Sequence, residues 1–126
     1  MEKITKKEEE VMNIFWEHGP MFVRDMVELY PEPKPHFNTI STIVRGLEAK
    51  GFVGHKSYGP TYQYFAAVSR SDYGRQSLKS VISRYFQNSY KQAVSALVGD
   101  DDLSVDELKK LINQIEEGSD NGNDNL

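Results

Sequence analysis

The chain has no cysteine, and that absence removes disulfide bonds, thiolate metal centres and a cysteine nucleophile at once. It also has no apolar run near the roughly 20 residues that a helix needs to span a bilayer, and no signal peptide ahead of its charged N-terminus. The expectation is a soluble, cytoplasmic protein without membrane insertion. Histidine is scarce: His18, His36 and His55 are far apart, and none pairs with a carboxylate at i, i+4 on a helix. His18 sits in the last turn of a first helix, where a histidine is unremarkable. The glycines are scattered over helix ends and turns, so no phosphate-cradling loop is present. The carboxylate run Asp100–Asp102 reads as a solvated connection rather than a cation site. No metal, no cofactor and no catalytic residue is expected, which leaves an enzyme as the weakest reading.

What is present is 126 residues, 38% of them hydrophobic, enough for one small domain with an appendage. The net charge of −4 argues at first against nucleic acid. Its distribution reverses that argument. Residues 34–70 hold Lys34, Arg45, Lys50, Lys56 and Arg70 against Glu48 alone, a net of +4, whereas residues 1–33 and 71–126 each carry −4. A local basic stretch, and not the whole-chain sum, decides whether phosphates are attracted.

The periodicity predicts a first helix opened by a Thr5–Glu8 capping box, striped by Val11, Met12, Phe15 and Trp16, and stopped at Gly19-Pro20. Met21-Phe22 can form a very short extended piece. Val23, Met26, Val27 and Tyr30 predict a second helix ended by Pro31, and the prolines at 31, 33 and 35 a stiff turn. A third helix starts between His36 and Thr39, with Ile40, Ile43, Val44 and Leu47 on one side and Asn38, Thr42, Arg45 and Ala49 opposite. Ser41 and Gly46 flank that outward face, and Gly51 suits the helix end. The period then changes to two, giving strands Phe52–Ser57 and Thr61–Ala67 around Tyr58-Gly59-Pro60.

The expected fold is therefore mainly α with a small antiparallel β-wing: a winged helix-turn-helix over residues 1–70. Beyond it, a long helix is predicted from about Ser71 to Val98, then a second capping box, Ser104–Glu107, opening a last helix. Residues 71–117 would form a helical dimerisation region, and residues 118–126 a disordered tail. The dimerisation candidates are the apolar Leu78, Val81, Ile82, Tyr85, Phe86, Val94 and Leu97, followed by Leu108, Leu111, Ile112 and Ile115. Two amphipathic helices past a compact wing have little to bury against alone, and a symmetric homodimer covers them.

The outward face of the third helix has the chemistry for a major groove. Arg45 can donate twice to a guanine edge, Asn38 can pair with adenine, and Ser41 and Thr42 are short enough to permit close approach. These four are the candidate base readers. Lys34, Lys50, His55, Lys56 and Thr61 are the candidate phosphate contacts, which position a protein on DNA without reading sequence. Tyr62 and Tyr64 read as packing residues of the hairpin.

Glu10-Val11-Met12-Asn13-Ile14-Phe15-Trp16 resembles the first helix of the penicillinase-repressor family. Thr39-Ile40-x-Thr42-Ile43 and Leu47-x-x-Lys50-Gly51-Phe52 are similar to its recognition helix and exit, and Tyr62-Gln63-Tyr64 to its returning wing strand. Asp102-Leu103-Ser104-x-Asp106-Glu107 is similar to the entry of its last helix, so the likeness covers nearly everything but the tail. The resemblance implies a homodimeric repressor that binds an inverted-repeat DNA operator of a resistance or stress operon. In the β-lactam branch it further implies a membrane sensor protease that cleaves the helical region. Two departures stand out. This chain has Gly46 where the family usually has arginine, with Arg45 one position earlier, a rotation of about 100° around the helix. The family's scissile pair aligns with Ala96-Leu97, the candidate cleavage region. The lack of cysteine excludes the Cys-x-Cys mechanism of the copper-responsive branch. Two rival readings are a winged-helix module that binds protein, and a regulator responsive to a small molecule in its helical region.

Overall fold

In the computed structural model, residues 3–99, 104–110 and 113–114 are described. The chain divides after Ser77 into two compact units. The first begins with α1 (Lys6–His18), β1 (Met21–Phe22) and α2 (Val23–Glu28), followed by α3 (Phe37–Ala49), β2 (Val53–Tyr58) and β3 (Thr61–Ala66). Helix α4 (Arg70–Tyr85) runs across the division, and α5 (Tyr90–Gly99) follows it. The sheet is antiparallel in the order β1-β3-β2, with Met21 opposite Tyr64 and His55 also opposite Tyr64 from the other side.

Local chemistry sets the helix ends. Thr5 Oγ1 accepts from the Glu8 amide at 3.1 Å while Glu8 Oε1 accepts from the Thr5 amide at 2.8 Å, a reciprocal capping box. At the other end of α1 the Gly19 amide donates to Phe15 O, with Gly19 at φ 83°. Helix α3 closes in a Schellman motif: the Gly51 amide bonds Glu48 O at 3.0 Å and the Phe52 amide bonds Leu47 O at 2.9 Å. Gly51 takes φ 85°, which a Cβ would disfavour, and Phe52 follows it into the core.

The core of this unit joins Val11, Met12 and Phe15 of α1 and Met26 of α2 to Ile40, Val44 and Leu47 of α3, with Phe52 and Tyr64 from the hairpin. Val11, Met12, Met26, Val44 and Leu47 are fully buried, each contributing on the order of 1.5–3 kcal/mol by leaving water. Helix α2 ends at Glu28, two residues before Tyr30, because its last turn tightens: the Tyr30 amide reaches back three residues, to Val27 O. The strands occupy residues 53–58 and 61–66, so Phe52 and Ala67 lie just outside them, and Gly59-Pro60 alone forms the tip.

The expected single helix from Ser71 to Val98 is two helices. Gln87 and Asn88 adopt φ 51° and 64°, the Asn88 amide turns back to Ile82 O, and Ser89 Oγ caps α5 by accepting from the Gln92 amide at 3.1 Å. Helix α4 also starts earlier, at Arg70, with Ser69 Oγ accepting from the Asp72 amide. Helical residues 105–110 begin as expected at Ser104, whose Oγ accepts from the Glu107 amide at 3.1 Å. Leu111, Ile112, Ile115, Asp100–Leu103 and the segment 118–126 lie outside the described residues. Among the described residues, no helix is long and apolar enough to cross a membrane, and no cluster of side chains could hold a metal ion.

Candidate nucleic-acid interface

Helix α3 is sharply two-sided. Ile40, Val44 and Leu47 are at most 2% exposed, whereas Asn38, Thr42, Arg45 and Ala49 are exposed on the opposite side. Ser41 is half-buried at the edge of that outward face. His36 precedes the helix, and its Nδ1 accepts from the Asn38 amide at 3.0 Å, which satisfies one free donor of the first turn. Thr42 Oγ1 bonds Asn38 O at 2.8 Å, and the Arg45 guanidinium lies back along the helix toward Ser41 O and Thr42 Oγ1 at 3.4 and 3.5 Å. Those two contacts are long and weak, so Arg45 can be drawn off by a better acceptor. Gly46 turns the other way: a Cβ there would stand 3.5 Å from Glu8 Oε2, against α1. The outward arginine of this helix is thus Arg45, and position 46 belongs to the α1 side.

The expected phosphate contacts divide into engaged and free. Lys50 Nζ meets Glu8 Oε1 at 2.8 Å and joins the end of α3 to the start of α1. Burial would raise the Glu8 pKa, but the hydrogen bond and charge of Lys50 and the bonds to Thr5 outweigh it and hold the carboxyl below its ordinary value. Lys34 Nζ donates to Glu28 O at 2.9 Å and Tyr30 O at 3.2 Å and lies 3.8 Å from the Glu28 carboxylate, which makes it a cap for α2. His55 Nδ1 is bonded to Glu48 Oε2. Thr61 Oγ1 donates to Tyr58 O at 2.9 Å and stabilises the wing tip. Lys56 is exposed on β2 opposite Gln63, with no ion pair among the described residues.

Between α2, α3 and the hairpin lies an open groove of about 500 Å³, lined in part by Phe22, Arg24, Phe37, Ser41, Arg45 and Tyr62. Arg24 and Phe37 were not picked out by sequence: Arg24 sits in the acidic stretch 1–33, where a regional charge count hides it, and Phe37 reads as an ordinary apolar residue. Phe37 is nevertheless 49% exposed at the start of α3. Tyr64 closes the inner wall, its hydroxyl pKa raised by burial and then by the charge of Glu48, against the opposing pull of Arg45.

Three helices, a short strand and a hairpin, with a polar outward face on the third helix, define a winged helix-turn-helix regulator. Residues 4–117 match the penicillinase repressor family. The chain belongs to the penicillinase repressor family, whose members are transcriptional regulators and not enzymes. It is 30% identical over 112 residues to the methicillin resistance regulatory protein MecI of Staphylococcus aureus (strain N315), covering 88% of this chain and 91% of that protein. It is 27% identical over 116 residues to the penicillinase repressor of Bacillus licheniformis, covering 91% of each.

Proposed function

We propose that this repressor acts as a homodimer on an inverted-repeat operator, with α3 of each subunit in the major groove, and that it controls a resistance or stress operon. The observation that carries this reading is the two-sidedness of α3, whose Ile40, Val44 and Leu47 are held in the core while Asn38, Thr42 and Arg45 face solvent. Arg45 would donate to a guanine edge, Asn38 to an adenine, and Ser41 and Thr42 would meet bases or phosphates at the edge of the helix. Lys56 on the wing, with Arg24 across the groove, would hold the backbone, while Thr61, whose hydroxyl proton goes to Tyr58 O, shapes the wing tip. Lys34, Lys50 and His55 are already engaged and contribute through the folded shape. The exposed apolar side chains Leu78, Val81, Tyr85, Val94 and Leu97 support a second copy as the partner of the helical unit. Two copies would set the reading helices about 34 Å apart, one turn of duplex. Ala96 and Leu97 are exposed but lie inside α5, so a sensor protease acting there would have to unwind a helical turn.

DNase footprinting across the protein's own promoter region tests the reading. A protected site with two-fold symmetry is the expected result. A protein-binding module would instead leave the DNA unprotected at every salt concentration.

A further inference from the structure

We propose that Glu48 and His55, with Tyr62 stacked on the imidazole, brace the wing against α3, so that His55 is a positioning residue for DNA and not a phosphate contact. The inference rests on the DNA reading above. Glu48 projects from the last turn of α3, where a carboxylate faces the negative end of the helix dipole, an unfavourable place unless a partner compensates. Its Oε2 meets His55 Nδ1 on β2. A carboxylate oxygen accepts and the ring N–H donates, so the Nδ1 side of His55 is committed to Glu48 and is not available to a phosphate oxygen. The other face of the contact is aromatic: the His55 and Tyr62 rings are 4.2 Å apart and 18° from parallel, and Tyr62 meets Tyr64 edge-on at 6.2 Å.

The hairpin needs such a brace. A two-stranded hairpin is marginal in water by itself, and β1 supports β3 at only two positions, Met21↔Tyr64 and Phe22↔Gln63. Past Val53 and Gly54, the side chains of β2 are exposed. The bond from Glu48 therefore crosses from the reading helix to the first exposed residue of the wing, and it fixes the angle at which Lys56, one residue further, is presented.

Hydrogen–deuterium exchange on the full chain without DNA, comparing wild type with Glu48→Ala, His55→Ala and the double variant, tests the brace. The outer amides of β2 and β3 should exchange about five-fold faster in each single variant, as for one lost hydrogen bond, and no faster again in the double. His55→Asn, which keeps a donor near the Nδ1 position, should recover part of the protection, and it serves where the alanine variant does not fold. Wild-type exchange in both single variants overturns the proposal. The same proteins are then titrated onto labelled duplex from the chain's own promoter. His55→Ala should weaken binding with an unchanged salt slope, whereas Lys56→Ala should make the slope shallower by about 0.9. An equal loss of slope in His55→Ala returns that residue to the phosphates and defeats the positioning role. If wild type itself ignores the duplex, the DNA reading fails and takes the positioning role with it, while the exchange data still decide whether the brace exists.

Discussion

Helices α3 and α5 both carry an apolar stripe, yet α3 holds Ile40, Val44 and Leu47 at 2% exposure or less while α5 leaves Leu97 at 50%. The rest of each neighbourhood follows suit. Around α3, apolar side chains from α1, α2 and the hairpin close a core inside one unit, and the outward side presents Asn38, Thr42 and Arg45. In α4 and α5, Leu78, Tyr85 and Tyr90 are 58%, 69% and 60% exposed. The first unit closes a core and keeps only scattered apolar side chains such as Leu29 and Phe37 in the solvent, whereas α4 and α5 expose most of theirs. One is built to meet a polar, charged partner and the other, on the proposed reading, a copy of itself.

The comparison can be broken at its strongest point first. Leu47→Ala should cost the first unit about 2–5 kcal/mol, read by urea unfolding, because it opens a cavity at a fully buried site that its neighbours fill only in part. Leu97→Asp should leave that unit's unfolding unchanged and convert the protein to monomers in sedimentation. It should also lower operator affinity by about 10²-fold, since joined half-sites bind far more tightly than single ones. A dimer that survives Leu97→Asp would remove α5 from the proposed interface. Arg45→Ala should lose about 1–3 kcal/mol of operator binding and relax selectivity at one base position in a gel-shift titration, with stability untouched. The smallest effect concerns acid. The Glu8 carboxyl is held below its ordinary value near 4.5, so the stability it contributes is complete above that pH and is lost as pH falls through the lowered folded value. Glu8→Gln should therefore flatten the acid limb of stability below about pH 4.5, measured by urea unfolding at a series of pH values.

These differences follow lines that were partly legible in the chain. The capping box at Thr5, the core stripe of α3, the glycine exit at Gly51 and the two-residue β1 are written in short spacings, and local rules find them. The break between α4 and α5 is also local, yet it is masked. Apolar residues continue in helical register across it, and neither glycine nor proline marks the left-handed positions, which fall to Gln87 and Asn88. The signal that was there is Ser89 with Gln92 three residues on, the same kind of opening as Thr5 and Glu8. The engagement of Lys50 with Glu8, 42 residues away in sequence, has no local trace at all. A lysine at a helix end reads equally as cap or phosphate contact, and the fold alone distinguishes them. His55 shows the same thing at shorter range, because its carboxylate partner comes from the preceding helix.

Trp16 is the single tryptophan of the chain. Its Nε1 donates to Val68 O at 2.9 Å, Tyr73 lies 5.8 Å from its ring, and the Arg70 guanidinium lies 5.7 Å above it. All three neighbours belong to the stretch by which the chain leaves the hairpin and enters α4. The protein thus carries its own optical probe at that exit, and one emission spectrum reports whether the indole still has its carbonyl, its aromatic neighbour and its cation. Excitation at the indole edge follows the seating of β3's exit on α1 in the unlabelled, wild-type molecule.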